Sequence, residues 1–139
     1  MAALAFASAC HDKVAGPIET ISDLSVARQH WSARGFSDYA FTLQTMCNCA
    51  NINPIRVIVV HDTVQSAIDL TTFKPAGQAV YTIDGLFAVI DNTLSNHKTV
   101  EATYEASLGY PVDLVVDRAG MAYDAGAWFK ISDFKVGGP

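Results

Sequence analysis

The chain has 139 residues and a formal net charge of −5, with 50% hydrophobic and 17% charged residues, a size and composition suited to one folded domain. Nine Lys and Arg, scattered without a run against fourteen Asp and Glu, exclude a nucleic-acid or polybasic membrane footprint. No apolar stretch reaches the ~20 residues that cross a bilayer, and a chain this apolar can offset its ordering entropy by burial, which argues against disorder.

The first nine residues are small or apolar apart from Ser8, and they end Ala7-Ser8-Ala9-Cys10. Small residues at the last and third-last positions suit a signal peptidase, and a Cys placed directly after them resembles a lipoprotein processing box. Residues 1–10 therefore read as a truncated signal with Cys10 as lipidation candidate. The run lacks a basic start and carries Ala7 where lipoproteins usually carry Leu, so plain secretion after Ala9, and an apolar N-terminus without signal meaning, are the other readings. Residues 11–21, with Gly16-Pro17, read as a tether and 22–139 as a single domain.

A first helix is expected from Ser22 or Asp23 to Arg34, with Leu24, Ala27 and Trp31 on its apolar face and Gly35 in the left-handed position that follows a helix. A strand follows from Asp38 to Cys47, where Tyr39, Phe41, Leu43 and Thr45 alternate with smaller or polar partners. Ile55 to His61 is a second, β-branched strand and Val64 to Leu70 a third; Phe73 to Ala79, with Pro75 and Gly77, is a loop. The pattern then restarts. Thr82 can cap a helix to Ser95 with Ile83, Leu86, Phe87, Ile90 and Leu94 as its stripe. Strands follow over Val100–Ala106, Val112–Asp117 and Ala127–Val136, with turns at Gly109-Tyr110-Pro111 and Arg118-Ala119-Gly120.

Each half thus reads helix, strand, strand, strand, a weak internal duplication over residues 22–72 and 82–136. The expected fold is α+β: tandem helix-plus-three-strand units forming an antiparallel sheet with both helices on one face. A cystatin-like roll with one helix in a curved sheet is the alternative.

Trp31, Asp38-Tyr39-x-Phe41 and Cys47-x-Cys49, followed by Thr82-Ile83-Asp84-Gly85-Leu86-Phe87, Leu108-Gly109-Tyr110-Pro111 and Ile131-Ser132-Asp133-Phe134, resemble a bacterial family of uncharacterised exported proteins and lipoproteins. The resemblance spans nearly all of the chain after residue 20. It implies envelope location and carries no activity, cofactor or catalytic residue. Where such sequences often have Asp-Gly after the second strand, this one has Asp62-Thr63, from which a distorted hairpin is expected. The helix-plus-sheet tandem is also similar in outline to secreted inhibitor domains that grip hydrolases, a likeness of fold alone.

Cys47 and Cys49 form an even pair once Cys10 is set aside, as befits an oxidising compartment. Residues i and i+2 of a strand share a face but lie ~6.6 Å apart, near the limit for a bridge. A strained disulfide, free thiols, and a redox or metal pair with His61 as accessory ligand are the three readings. His61-Asp62 is the adjacent pair with general-base character, and Asp117, Asp124 and Asp133 lie near expected turns. No nucleophile elbow, phosphate loop, dinucleotide fingerprint or zinc-helix motif occurs, and no metal or cofactor is expected. Trp128 and Phe129 are consecutive in a strand and must face opposite sides, so Trp128, with Tyr110 in its turn, is a candidate binding surface.

Together these features point to an exported or lipid-anchored cell-envelope domain. It is expected to be a non-enzymatic interaction module for an envelope or extracellular protein, reaching the membrane only through lipid on Cys10. An exported redox or hydrolytic enzyme using Cys47, Cys49 and His61, and an inhibitor-like binder of an extracellular hydrolase, are the alternatives.

Overall fold

The computed structural model describes residues 18–47, 53–117 and 126–137. Its first element, β1 (Thr20–Ile21), lies in the stretch expected to be a tether. Two residues cannot show alternation; β1 forms because its backbone pairs antiparallel with Glu105 and Tyr104. Asp23 starts α1 (Leu24–Ser32) by accepting the Val26 amide at 3.1 Å, which satisfies one of the donors left open at a helix start. The helix closes at Ala33, and Gly35 has no positive φ, so the expected glycine cap is absent.

Two antiparallel meanders follow, each behind its helix. The first is β2 (Tyr39–Met46), β3 (Ile55–Val60) and β4 (Thr63–Asp69); after α2 (Ile83–Ser95) the second is β5 (Val100–Glu105), β6 (Pro111–Val116) and β7 (Ala127–Val136). Because β7 pairs with β2, the strands join into one antiparallel sheet ordered β1-β5-β6-β7-β2-β3-β4. Both helices bury residues in a single core: Ala27 and Trp31 from α1, and Ile83, Leu86, Phe87 and Ile90 from α2. These pack with Phe41, Leu43, Val57, Leu114, Phe129 and Ile131. The register explains the shared face, since Leu43 lies opposite both Ile55 and Ile131, and Phe41 opposite Val57. Each large apolar side chain buried this way contributes ~1.5–3 kcal/mol. The fold is α+β, in the two-helix form.

Three local expectations are corrected. The turn between β3 and β4 is a regular two-residue one, with His61 and Asp62 both left-handed at φ 50° and 58° and Val60 paired with Thr63. Asp tolerates that conformation better than most residues, and the Asp62 amide donates to Ser37 O at 3.0 Å while the His61 amide donates to Asp38 Oδ1 at 2.9 Å. The hairpin is distorted as expected, but at a bulge between Ile58 and Val59 rather than at its turn. On α2, Leu94 is 46% exposed and Thr93 takes the buried place, its hydroxyl donating to Val89 O at 2.7 Å.

The third correction is Tyr110, which is buried rather than displayed: its ring stacks on Phe134 at 4.3 Å between centroids. Gly109 permits that placement with φ 81°, bringing the β5–β6 turn against α1 so closely that a Cβ there would sit 2.1 Å from Ala27 O.

Both edges of the sheet carry partners from the chain itself. On β5 the partner is β1, reinforced by the Ala106 amide donating to Glu19 O. On β4, Ile68 bridges Pro75, the Asp69 amide donates to Lys74 O, and the Ala76 amide donates to Ala67 O.

Gly109→Ala combines a left-handed φ with a backbone clash and is expected to lower stability by at least ~2 kcal/mol in chemical denaturation. Gly35→Ala, with nothing within 4 Å of the added Cβ, is expected to be neutral or slightly stabilising. Desolvation by burial pushes the Tyr39 and Tyr110 phenols up to about 12 and also raises Tyr104. The unfolded chain ionises near pH ~10 while the folded one keeps these protons, so stability is unaffected below that pH and falls as pH rises towards 12. Thermal melts from pH 8 to 12 are expected to show this loss, with a shallower decline in Tyr110→Phe.

Candidate functional site

With both helices on one side, alternation divides every central strand between a core face and an open face. The open face can be read from the register. One row across the strands is Glu101, Val115, Trp128 and Met46; the next is Thr103, Asp113, Lys130 and Gln44. Phe129, the neighbour of Trp128, is buried and meets Tyr81 edge-on at 5.6 Å. Trp128 stands half-buried on the opposite side, as the consecutive pair requires.

The β5, β6 and β7 members of these rows border an open groove of about 630 Å³ lined by Glu101, Ala102, Thr103, Asp113, Val115, Trp128 and Lys130. Sites for small ligands commonly fall at ~300–1,000 Å³. The indole Nε1–H donates to Asp113 Oδ1 at 3.3 Å, which restrains the ring within the groove. The lining thus combines one aromatic plane, an aliphatic Val115, two carboxylates, an ammonium and a hydroxyl. That set can hold a ligand by stacking and hydrogen bonding; a nucleophile with an adjacent base is not among its members.

A second polar cluster joins elements. Arg34 lies 4.0 Å over the Trp31 ring, donates to Trp31 O at 2.8 Å and pairs with Asp62 at 2.9 Å and Asp84 at 3.3 Å. Trp31 Nε1–H donates to Asp84 Oδ1 at 3.1 Å, and the Ile83 amide donates to the Tyr39 hydroxyl at 3.0 Å. With its groups turned on one another, this cluster ties α1, α2 and the β3–β4 turn together.

The remaining candidates separate. Cys47 directly follows β2, half-buried and already engaged with a partner; Cys49, its nearest sequence partner, lies outside the described residues, as does Cys10. His61 cannot serve Cys47 as an accessory ligand. Tyr39 pairs with Val59, so His61 sits beyond the start of β2 while Cys47 sits past its end, ~30 Å away along the strands. Asp117 pairs with Lys98 at 3.5 Å, and Asp133, at φ 49°, lies near the bulge of β7, ~20 Å further along the sheet. Asp124 lies outside the described residues. Among the described residues no group of three or more His, Cys, Asp or Glu is placed to hold a metal.

Fold and groove define a one-sided α+β sheet domain with a cleft beside Trp128 on the face away from its helices. The chain belongs to the family of unknown function DUF6174, whose model matches residues 23–136. Comparison with curated proteins and with solved structures gives no significant match. Sequence reasoning found Trp128 from its position beside Phe129 but missed Asp113, Thr103 and Lys130, because ordinary polar residues on alternating strands reveal a shared row only once the register is known.

The separation of His61 from Cys47 generates a prediction. Titration of Cys47 with a thiol reagent after mild reduction is expected to proceed at the same rate in His61→Ala as in the parent; slower reaction in the variant would show that the two communicate.

Proposed function

We propose that this chain is a non-enzymatic binding domain of the bacterial cell envelope, exported and held there by lipid on Cys10, which captures an envelope or extracellular partner in the groove around Trp128. The observation that carries this reading is the indole of Trp128, half-buried on the open face of the sheet and hydrogen-bonded to Asp113. Aromatic side chains of the helix-packed core, such as Trp31 and Phe129, serve folding. Trp128 lies outside that core, and a large apolar ring kept on the face away from it favours binding.

Envelope location is supported by the Ala7-Ser8-Ala9-Cys10 segment and by the family resemblance. The engaged state of Cys47 supports a bridge to Cys49, a bond that persists in oxidising compartments. The distance of His61 from Cys47 weighs against an enzyme built on those residues.

Retention of the purified domain on an isolated envelope fraction tests the capture. Trp128→Ala is expected to reduce retention at least ~10-fold, the loss of a central aromatic contact, while leaving the melting temperature unchanged. Equal retention would overturn the assignment. Cys10→Ser is expected to release the full-length protein from membranes into the soluble fraction, and unaltered partitioning would remove the lipid anchor.

A further inference from the structure

Resting on the reading of the open face as the capturing surface, we propose that the Trp128 groove is a saccharide site that takes a short oligosaccharide across β5, β6 and β7. Two adjacent rows of the sheet carry this assignment. Within the groove the first contributes Val115 and the Trp128 indole; the second is polar, with the Thr103 hydroxyl, the Asp113 carboxylate and the Lys130 ammonium. A pyranose ring has the matching division, with C–H groups on its face and hydroxyls around its rim. The face would lie on the indole, and the hydroxyls, each both donor and acceptor, would meet the second row. Trp128 Nε1–H is bound to Asp113 Oδ1, so the ring plane is oriented before a ligand arrives. Across β5, β6 and β7 each row crosses two inter-strand steps, ~10 Å, and the cavity of about 630 Å³ suits a short oligomer.

Other ligand classes fit less well. An extended peptide is recognised chiefly through backbone groups at a free sheet edge, whereas the groove lies on a face whose backbone groups are consumed by ladders on both sides. A polyanion would meet Glu101 and Asp113 against the single Lys130. An acyl chain would strip water from those same charged groups without replacing it.

The experiment titrates the intact domain with maltotriose, cellotriose and tri-N-acetylchitotriose while following tryptophan emission and binding heat. The chain has two tryptophans, and Trp31 is buried at 2% exposure, so a ligand-induced change reports on Trp128. At least one sugar is expected to shift the emission saturably, with Trp128→Ala abolishing the binding heat and Asp113→Asn weakening affinity about 10-fold at unchanged melting temperature. The saccharide assignment is overturned if no sugar binds up to about 10 mM, or if binding survives in both variants. Should the sugars fail while envelope retention still depends on Trp128, the captured partner is a protein and only the saccharide assignment falls; if retention is also independent of Trp128, the surface itself is wrong.

Discussion

The junction of Trp31, Arg34, Asp84 and Tyr39 is the constraint on which the rest of the molecule depends. A helix packed on a sheet is free to slide until something fixes its ends. Here the end of α1 is fixed to the start of α2 by the indole–Asp84 hydrogen bond, and the start of α2 to β2 by the Ile83 amide on the Tyr39 hydroxyl. Asp84 also places a negative charge in the first turn of α2, where the helix dipole favours one. Arg34 closes the arrangement by lying over Trp31 and reaching the β3–β4 turn through Asp62. An exposed ion pair contributes ~0–1 kcal/mol, but the Arg34 side chain is only 11% exposed and stacked on an aromatic face, so its value lies in position as much as energy.

Locking both helices to one side leaves the opposite face of the sheet uncovered among the described residues, and the groove follows from that asymmetry. The strands that bury Leu43, Leu114 and Phe129 must present Gln44, Asp113 and Trp128 outward. The core therefore acts as the rigid backing of the site, since displacing Phe129 would move Trp128 with it. Such backing positions an aromatic ring without the ordering cost that a loop-borne residue would incur.

Much of this organisation was legible in the sequence wherever a pattern repeated. The alternation from Tyr39 to Leu43, the nearly continuous β-branched run from Ile55 and the stripe from Ile83 to Ile90 locate their elements within a residue or two. Failures fall where one tertiary contact overrides a local rule. Tyr110 looks like a displayed turn residue, yet stacking on Phe134 draws it inward. Thr93 displaces Leu94 because its hydroxyl finds a partner within its own helix. His61 reads as a strand residue near a cysteine pair, whereas antiparallel pairing sends it to the far end of the sheet. The groove was half visible: parity alone puts Trp128 and Phe129 on opposite faces, but which polar residues join Trp128 depends on inter-strand register, which a one-dimensional pattern does not encode.

The short segments lining the sheet's borders have a consequence at high protein concentration. β1 occupies the Tyr104 and Glu105 end of one outer strand, and residues 74–76 occupy the Ala67–Asp69 end of the other. What remains open on either border is only a few residues long, too little to template cross-β stacking between neighbouring copies. Crowding many such molecules together should therefore leave them as separate particles rather than seed fibrils, and a substitution that released Pro75 or Ile21 from its border would unmask that hazard before it disturbed the core.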